Sequence, residues 1–264
     1  KMGAAYQVRG FTRTHAGEFE LAEKDYDQAI GLEPKNGYFW AGRGFLHERM
    51  SEWEKALVDY NESLRLDPSR GLTLTSRGGV FLQMQDYSKA LSDFTQAIKV
   101  VPLEVRAWNG RALAYNGLRR FSEAIADTDQ SLKLDPNFAE TYYDRGLIYF
   151  AGGNPQLALK EFSLAIEKNS QYDAAFAGRA DCYEAIQEFD KSLADFARAI
   201  ELAPRNPYYY FDRGTIYYQA GKPELGAADQ RKALELAPNK WVRQRLDQRL
   251  KEQARQREQD RAQP

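Results

Sequence analysis

The sequence predicts an all-α solenoid of stacked antiparallel helix pairs, on three observations. Six of the ten prolines, Pro34, Pro68, Pro102, Pro136, Pro204 and Pro238, fall on multiples of 34, and the multiple they skip is Ser170. A fixed period of this length is the mark of stacked supersecondary units. With the proline slot taken as the 32nd place, seven units follow, 3–36, 37–70, 71–104, 105–138, 139–172, 173–206 and 207–240. Columns of one residue character recur through these units. Their spacings of three, four and seven are helical rather than strand-like.

Each unit opens with a helix of about 13 residues, roughly 20 Å long. Its fourth place is aromatic or large and apolar: Tyr6, Trp40, Leu74, Trp108, Tyr142, Phe176 and Tyr210. Four places on comes a small residue: Gly10, Gly44, Gly78, Ala112, Gly146, Ala180 and Gly214. A glycine inside a helix costs about 1 kcal/mol relative to alanine, so its recurrence implies that two backbones approach closely there. A turn follows at Gly17, Gly153 and Gly221, with Pro155 and Pro223 just after it. Proline is tolerated in a first helical turn, where its missing N–H would have no partner. The second helix carries small residues at Ala22, Ala56, Ala90, Ala124, Ala158, Ser192 and Gly226 and ends at the comb proline. A weaker 68-residue pattern overlies the first: Trp40-Ala41-Gly42-Arg43, Trp108-Asn109-Gly110-Arg111 and Phe176-Ala177-Gly178-Arg179 resemble one another. Residues 241–251 break the period. Trp241, Val242, Leu246 and Leu250 are expected to form the apolar stripe of a capping helix, because an uncapped end unit would expose its apolar face. Residues 252–264 are polar and are expected to form a tail.

The pattern resembles the tetratricopeptide repeat, matched in the second unit by Trp40, Gly44, Ala56, Tyr60, Ser63 and Pro68. The resemblance implies a right-handed superhelical solenoid whose concave groove is lined mainly by the first helices. One column departs from the family pattern. Where leucine is usual every unit has arginine, Arg9, Arg43, Arg77, Arg111, Arg145, Arg179 and Arg213. Sixteen residues later each unit has an acid, Asp25, Asp59, Asp93, Asp127, Glu161, Asp195 and Asp229. Seven matched pairs predict structural ion pairs, within a unit or between an acid and the next unit's arginine. An anion-binding arginine ladder is the competing reading, disfavoured because each charge has its own counter-charge.

Composition removes other functions. Lys+Arg 37 against Asp+Glu 38 gives a net charge of -1, without the basic footprint of a nucleic-acid binder. The single cysteine allows no internal disulfide. His15 and His47 lack a third imidazole or thiolate with which to hold a metal, and Cys182 occupies an interior helical slot. No nucleophile elbow, phosphate loop or metal-binding helix motif occurs. The expectation is a non-enzyme without cofactor or metal. No apolar run is long enough to span a bilayer. The chain opens at Lys1 rather than methionine, which reads as a trimmed soluble chain, cytoplasmic or exported after removal of a leader.

The groove remains. The lining places of the family, carried over residue by residue, give Phe11, Tyr38, Phe45, Arg49, Leu82, Arg106, Asn109 and Asn116 in the first four units. In the last three they give Glu140, Tyr143, Asp144, Leu147, Phe150, Asp181, Glu184, Tyr208, Phe211, Asp212 and Tyr218. The lysines and asparagines with which some family members clamp a chaperone's C-terminal carboxylate are replaced by Gln7, Phe11, Gly42, Leu72 and Ser76, so that subclass is rejected. The expected function is a protein-interaction scaffold binding a peptide or protein segment in the groove. For units five to seven that segment is basic with apolar anchors, since aromatic faces beside acids suit arginine or lysine. The alternative is a self-assembling structural solenoid. A nucleic-acid reader is disfavoured by the charge balance.

Overall fold

The computed structural model describes residues 2–237 and 240–262; in the last helix the described side chains are 243, 244 and 246–255. Among the described residues there are fifteen α-helices and no strand, an all-α repeat solenoid. The chain forms two compact units, Lys1–Asn137 and Phe138–Pro264. The first holds α1 (Met2–Ala16), α2 (Phe19–Leu32), α3 (Gly37–Arg49), α4 (Trp53–Leu66), α5 (Gly71–Gln83), α6 (Tyr87–Val100), α7 (Val105–Gly117) and α8 (Phe121–Leu134). The second holds α9 (Ala139–Ala151), α10 (Pro155–Lys168), α11 (Asp173–Ala185), α12 (Phe189–Leu202), α13 (Pro207–Gln219), α14 (Pro223–Leu236) and α15 (Lys240–Ala262). None of the described helices is long and apolar enough to cross a membrane.

The glycine columns have a direct physical cause. A Cβ on Gly44 would meet the Tyr60 ring at 2.8 Å, and one on Gly146 would meet Phe162 at 2.7 Å. Each ring projects from the second helix onto the first helix of its own unit. The same rings explain the 68-residue pattern. Tyr26 also lies against Gly42, Phe94 against Gly110 and Phe162 against Gly178, each glycine belonging to the next unit. An alanine there would drive a methyl group into a buried ring, so both helices must come close where the ring is large.

The turn between the helices uses one geometry seven times. Gly17, Ser51, Gln85, Arg119, Gly153, Gln187 and Gly221 all have positive φ, between 59° and 78°. The residue after each returns a hydrogen bond to the carbonyl five back, as in Glu18 N–H to Arg13 O at 2.9 Å and Glu188 N–H to Tyr183 O at 2.9 Å. This is the Schellman closure, which satisfies carbonyls left over at a helix end. Glycine reaches this backbone region without steric cost, whereas glutamine meets its own Cβ. Gln187→Gly is therefore expected to stabilise the protein by about 0.5–1 kcal/mol, after allowance for the freer unfolded chain. Urea unfolding checks it; an unchanged or lowered stability would show that the Gln187 side chain compensates elsewhere.

At the C-terminus α15 packs on the last pair. Leu246 is fully buried in a cluster with Phe211 and Ala233, and Leu250 lies against it. The side chains of Trp241 and Val242 lie outside the described residues. The helix continues to Ala262, so residues 252–262 of the expected tail are helical.

Candidate functional site

All seven arginine–acid pairs lie within a unit. Arg9 meets Asp25, Arg43 Asp59, Arg77 Asp93 and Arg111 Asp127, with shortest separations of 2.6 to 2.7 Å. Arg145 meets Glu161 at 2.8 Å, and Arg179 and Arg213 meet Asp195 and Asp229 at 2.7 Å. Most are two-pronged, as in Arg111, whose Nε and Nη2 donate to the two oxygens of Asp127 at 2.7 and 2.8 Å. That fork matches a carboxylate and no single-point cation does. All seven carboxylates are buried. The guanidinium also reaches the fourth-place aromatic, Arg43 at 5.0 Å from Trp40 and Arg111 at 4.9 Å from Trp108. Some of the arginines extend a further N–H to the preceding unit, as in Arg43 to Asp27, Arg77 to Asn61 and Arg179 to Ser163. The acid of each pair thus occupies its arginine, and the ladder joins helices.

In the second half, α9, α11 and α13 present the expected groove residues unequally. Glu140 is exposed on the first turn of α9. Asp144, by contrast, is buried at 8% exposure. Tyr143 is held between Phe162 and Tyr172, with ring centroids 5.6 and 5.1 Å away, and Leu147 packs beside it. Phe150, Asp181 and Glu184 line one open cleft of 610 Å³, together with Gln187, Phe189 and Gln219. Gln219 donates to Glu184 at 2.8 Å.

Phe211, Asp212 and Tyr218 require correction as open groove residues. Phe211 is fully buried beneath Leu246, because α15 lies on that face of α13. Asp212 accepts from Arg249 Nη2 at 2.6 Å, and the same guanidinium stands 4.4 Å from the Phe211 ring. Gln253 extends the contact by donating to Thr215 at 2.8 Å. Tyr208 packs against the same cluster. Tyr218 turns toward its own second helix, where its ring would meet a Cβ on Gly226 at 2.7 Å. The sequence did carry a signal for Arg249. Counted on by 34, α15 is the first helix of an eighth unit, and Arg249 stands at the place that Asp181 and Thr215 hold in theirs.

The carboxylates here interact strongly. Burial, then the charges of Asp212 and Glu184, push the Asp181 carboxyl up to about 7, while Arg249 pulls it down. Burial raises Glu184 as well, against the hydrogen bond from Gln219. Asp212 is raised by burial and lowered by Arg249. Asp181 and Asp212 therefore share the Arg249 guanidinium while Glu184 adds a further negative charge beside them, and ionising all three acids is unfavourable.

The remaining candidates have structural surroundings. His15 makes an edge contact with Phe11 at 4.4 Å, and buried His47 has Nδ1 3.0 Å from Glu52. Burial first, then Asp181, pushes the Cys182 thiol up to about 12, outside the range of a reactive thiolate. Among the described residues no group of three or more His, Cys, Asp or Glu is placed to hold a metal.

Comparison with known proteins agrees with this architecture. The sequence model of the tetratricopeptide repeat matches residues 15–70, 76–137, 115–174 and 177–240. A tetratricopeptide repeat protein from Parabacteroides merdae superposes with a TM-score of 0.76 at 21% identity, over 93% of this chain and 97% of that one. The Cut9–Hcn1 hetero-tetramer of the APC/C gives 0.74 at 16% identity, over 92% of this chain and 48% of that one. TTC0263, a thermophilic TPR protein in Thermus thermophilus, gives 0.65 at 18% identity over 69% and 99%. No curated protein matches the sequence. At such identities the likeness to the solved structures is one of fold.

Proposed function

This chain belongs to the tetratricopeptide repeat family, and we propose that it is a non-catalytic scaffold whose second half holds a basic, partly apolar segment of another protein. Repeats of this family suggest protein interaction in general; the chemistry of the segment is argued from the site. The observation that carries it is Arg249, whose guanidinium is 2.6 Å from Asp212 and 4.4 Å from the Phe211 ring. A cation paired with a carboxylate over an aromatic face is the arrangement this surface already accepts from its own chain. Next to it Asp181 and Glu184 open into the cleft with Phe150 and Phe189, and the described residues that line it include no cation. An arginine or lysine beside an apolar anchor fits that cleft. A basic group also relieves the repulsion between the acids, so ionised Asp181 is the binding form.

The test is fluorescence anisotropy of the whole chain with matched basic and acidic peptides carrying leucine or phenylalanine. The basic set should bind with affinity on the order of micromolar and weaken with salt. Binding should tighten as pH rises through about 7, where Asp181 loses its proton. Asp181→Lys with Glu184→Lys should abolish it while the helical content persists. Equal binding of the acidic set, or indifference to the double change, would overturn the proposal.

A further inference from the structure

We propose that the cleft in the first half of the chain, beside the stacked pair Arg70 and Tyr38, is a second docking site with the opposite preference, taking an apolar segment that carries an internal aspartate or glutamate. It uses none of the residues of the site in the second half.

Arg70 is a poor choice for the place it occupies. It is the residue before α5, the slot that Asn36, Glu104 and Asn206 hold before α3, α7 and α13. Those three side chains accept an N–H of their helix, at 3.2, 3.3 and 3.1 Å. Arginine has donors only and cannot cap, and a cation at the positive end of a helix is unfavourable. Arg70 indeed makes no side-chain cap. Its guanidinium instead lies over the ring of Tyr38, at the start of the same unit, 3.6 Å from the centroid, with Nε donating to Thr73 Oγ1 at 3.3 Å. Among the described residues no carboxylate forms a salt bridge with it. The nearby Asp67 accepts the backbone N–H and the hydroxyl of Ser69, at 3.0 and 2.6 Å. The slot thus goes uncapped, as it also does at Phe138 and Tyr172, and what sets Arg70 apart is a guanidinium whose Nη groups take no part in the helix start.

They are available at an apolar cleft of 280 Å³, whose lining includes Phe11, Phe45, Tyr38, Leu72 and Ser76. Phe11 and Phe45 stack at 6.0 Å, while Phe11, Tyr38 and Leu72 are 50%, 66% and 67% exposed. Among the described residues of that lining Arg70 alone is charged. Apolar walls with one guanidinium that touches Asp67 only through its longer-range charge complement a carboxylate next to a leucine or phenylalanine and repel a lysine in its place. A side-chain carboxylate is the stated ligand, because arginine binds it two-pronged and nothing else in the lining is cationic.

The experiment titrates the full chain with C-terminally amidated, fluorescently labelled peptides in which an aspartate between leucine and phenylalanine is kept, changed to asparagine or changed to lysine. The aspartate peptide should bind at least about 10-fold more tightly than the asparagine peptide, and the lysine peptide should not bind. Arg70→Asn should weaken the aspartate peptide by the same factor while the melting temperature stays level or rises, since asparagine is the residue that caps α3 and α13. Phe11→Ala, at an exposed position, should weaken all binding without lowering the melting temperature. Asp181→Lys with Glu184→Lys should leave the acidic peptide bound. Absence of binding up to about 1 mM, equal binding of aspartate and asparagine peptides, or an unaffected Arg70→Asn variant would overturn the proposal. So would a loss of binding that comes with a lower melting temperature, which would make Arg70 a structural residue.

Discussion

Arg111→Leu is expected to lower the stability of the protein by about 3–5 kcal/mol. The wild-type guanidinium donates to both oxygens of Asp127 at 2.7 and 2.8 Å, and Asp127 is only 5% exposed. Leucine would replace both donors with methyl groups and leave a carboxylate in a place from which water is excluded. The loss would measure the stranded charge rather than the worth of the pair, since a buried ion pair can be exchanged for apolar groups at little net cost. Arg111→Leu with Asp127→Leu should therefore recover most of it. Urea unfolding of wild type, single and double variants checks both statements. A single variant within about 0.5 kcal/mol of wild type would mean that the bridge is screened like an exposed pair. A double variant as unstable as the single would mean that the pair is needed for register between α7 and α8.

Asp181→Asn is expected to raise stability at pH 8 by about 2–4 kcal/mol and to change it little at pH 4. The folded carboxyl is pushed up to about 7 by burial and by Asp212 and Glu184, with Arg249 opposing. An aspartate in the unfolded chain titrates near 3.9. Between about pH 4 and pH 7 the folded state keeps a proton that the unfolded state has released, so stability falls as pH rises through that window. It is greatest below the unfolded value and levels off above the folded one. Asparagine cannot ionise and removes this dependence. Denaturant unfolding of both proteins from pH 4 to pH 8 gives the comparison; parallel profiles would place Asp181 in contact with water or with a second cation. The same substitution should weaken the basic peptide, so stability and binding would move in opposite directions. That opposition is expected where acids are held together for a ligand rather than for the fold.

Much of the architecture was legible from Gly3 to Pro238, because the constraints are local and occur seven times. The helix pair, the small residue in the first helix and the proline slot after the second helix all recur with the 34-residue period, with Ser170 the one multiple that is not proline. Even the 68-residue pattern has such a cause, a ring at Tyr26, Phe94 or Phe162 lying on the next unit's glycine. The turn was legible only where it is glycine. Ser51, Gln85, Arg119 and Gln187 adopt the same positive φ with no residue signal, since the closing hydrogen bonds impose it.

By itself the sequence determined the fold class and the matched charges, since periodic spacing dictates which side chains share a helical face. Only the tertiary structure decided which members of that face remain open. Phe211 and Asp212 have the spacing of groove residues, yet Leu246 covers one and Arg249, 37 positions along the chain, engages the other. Arg70 shows the reverse, a residue outside the family's lining places that reaches a cleft by lying on Tyr38. Periodicity fixes direction about one helix axis. Exposure and charge environment depend on what neighbouring helices place against that face, and those neighbours lie on other helices, outside the local spacing that periodicity reads.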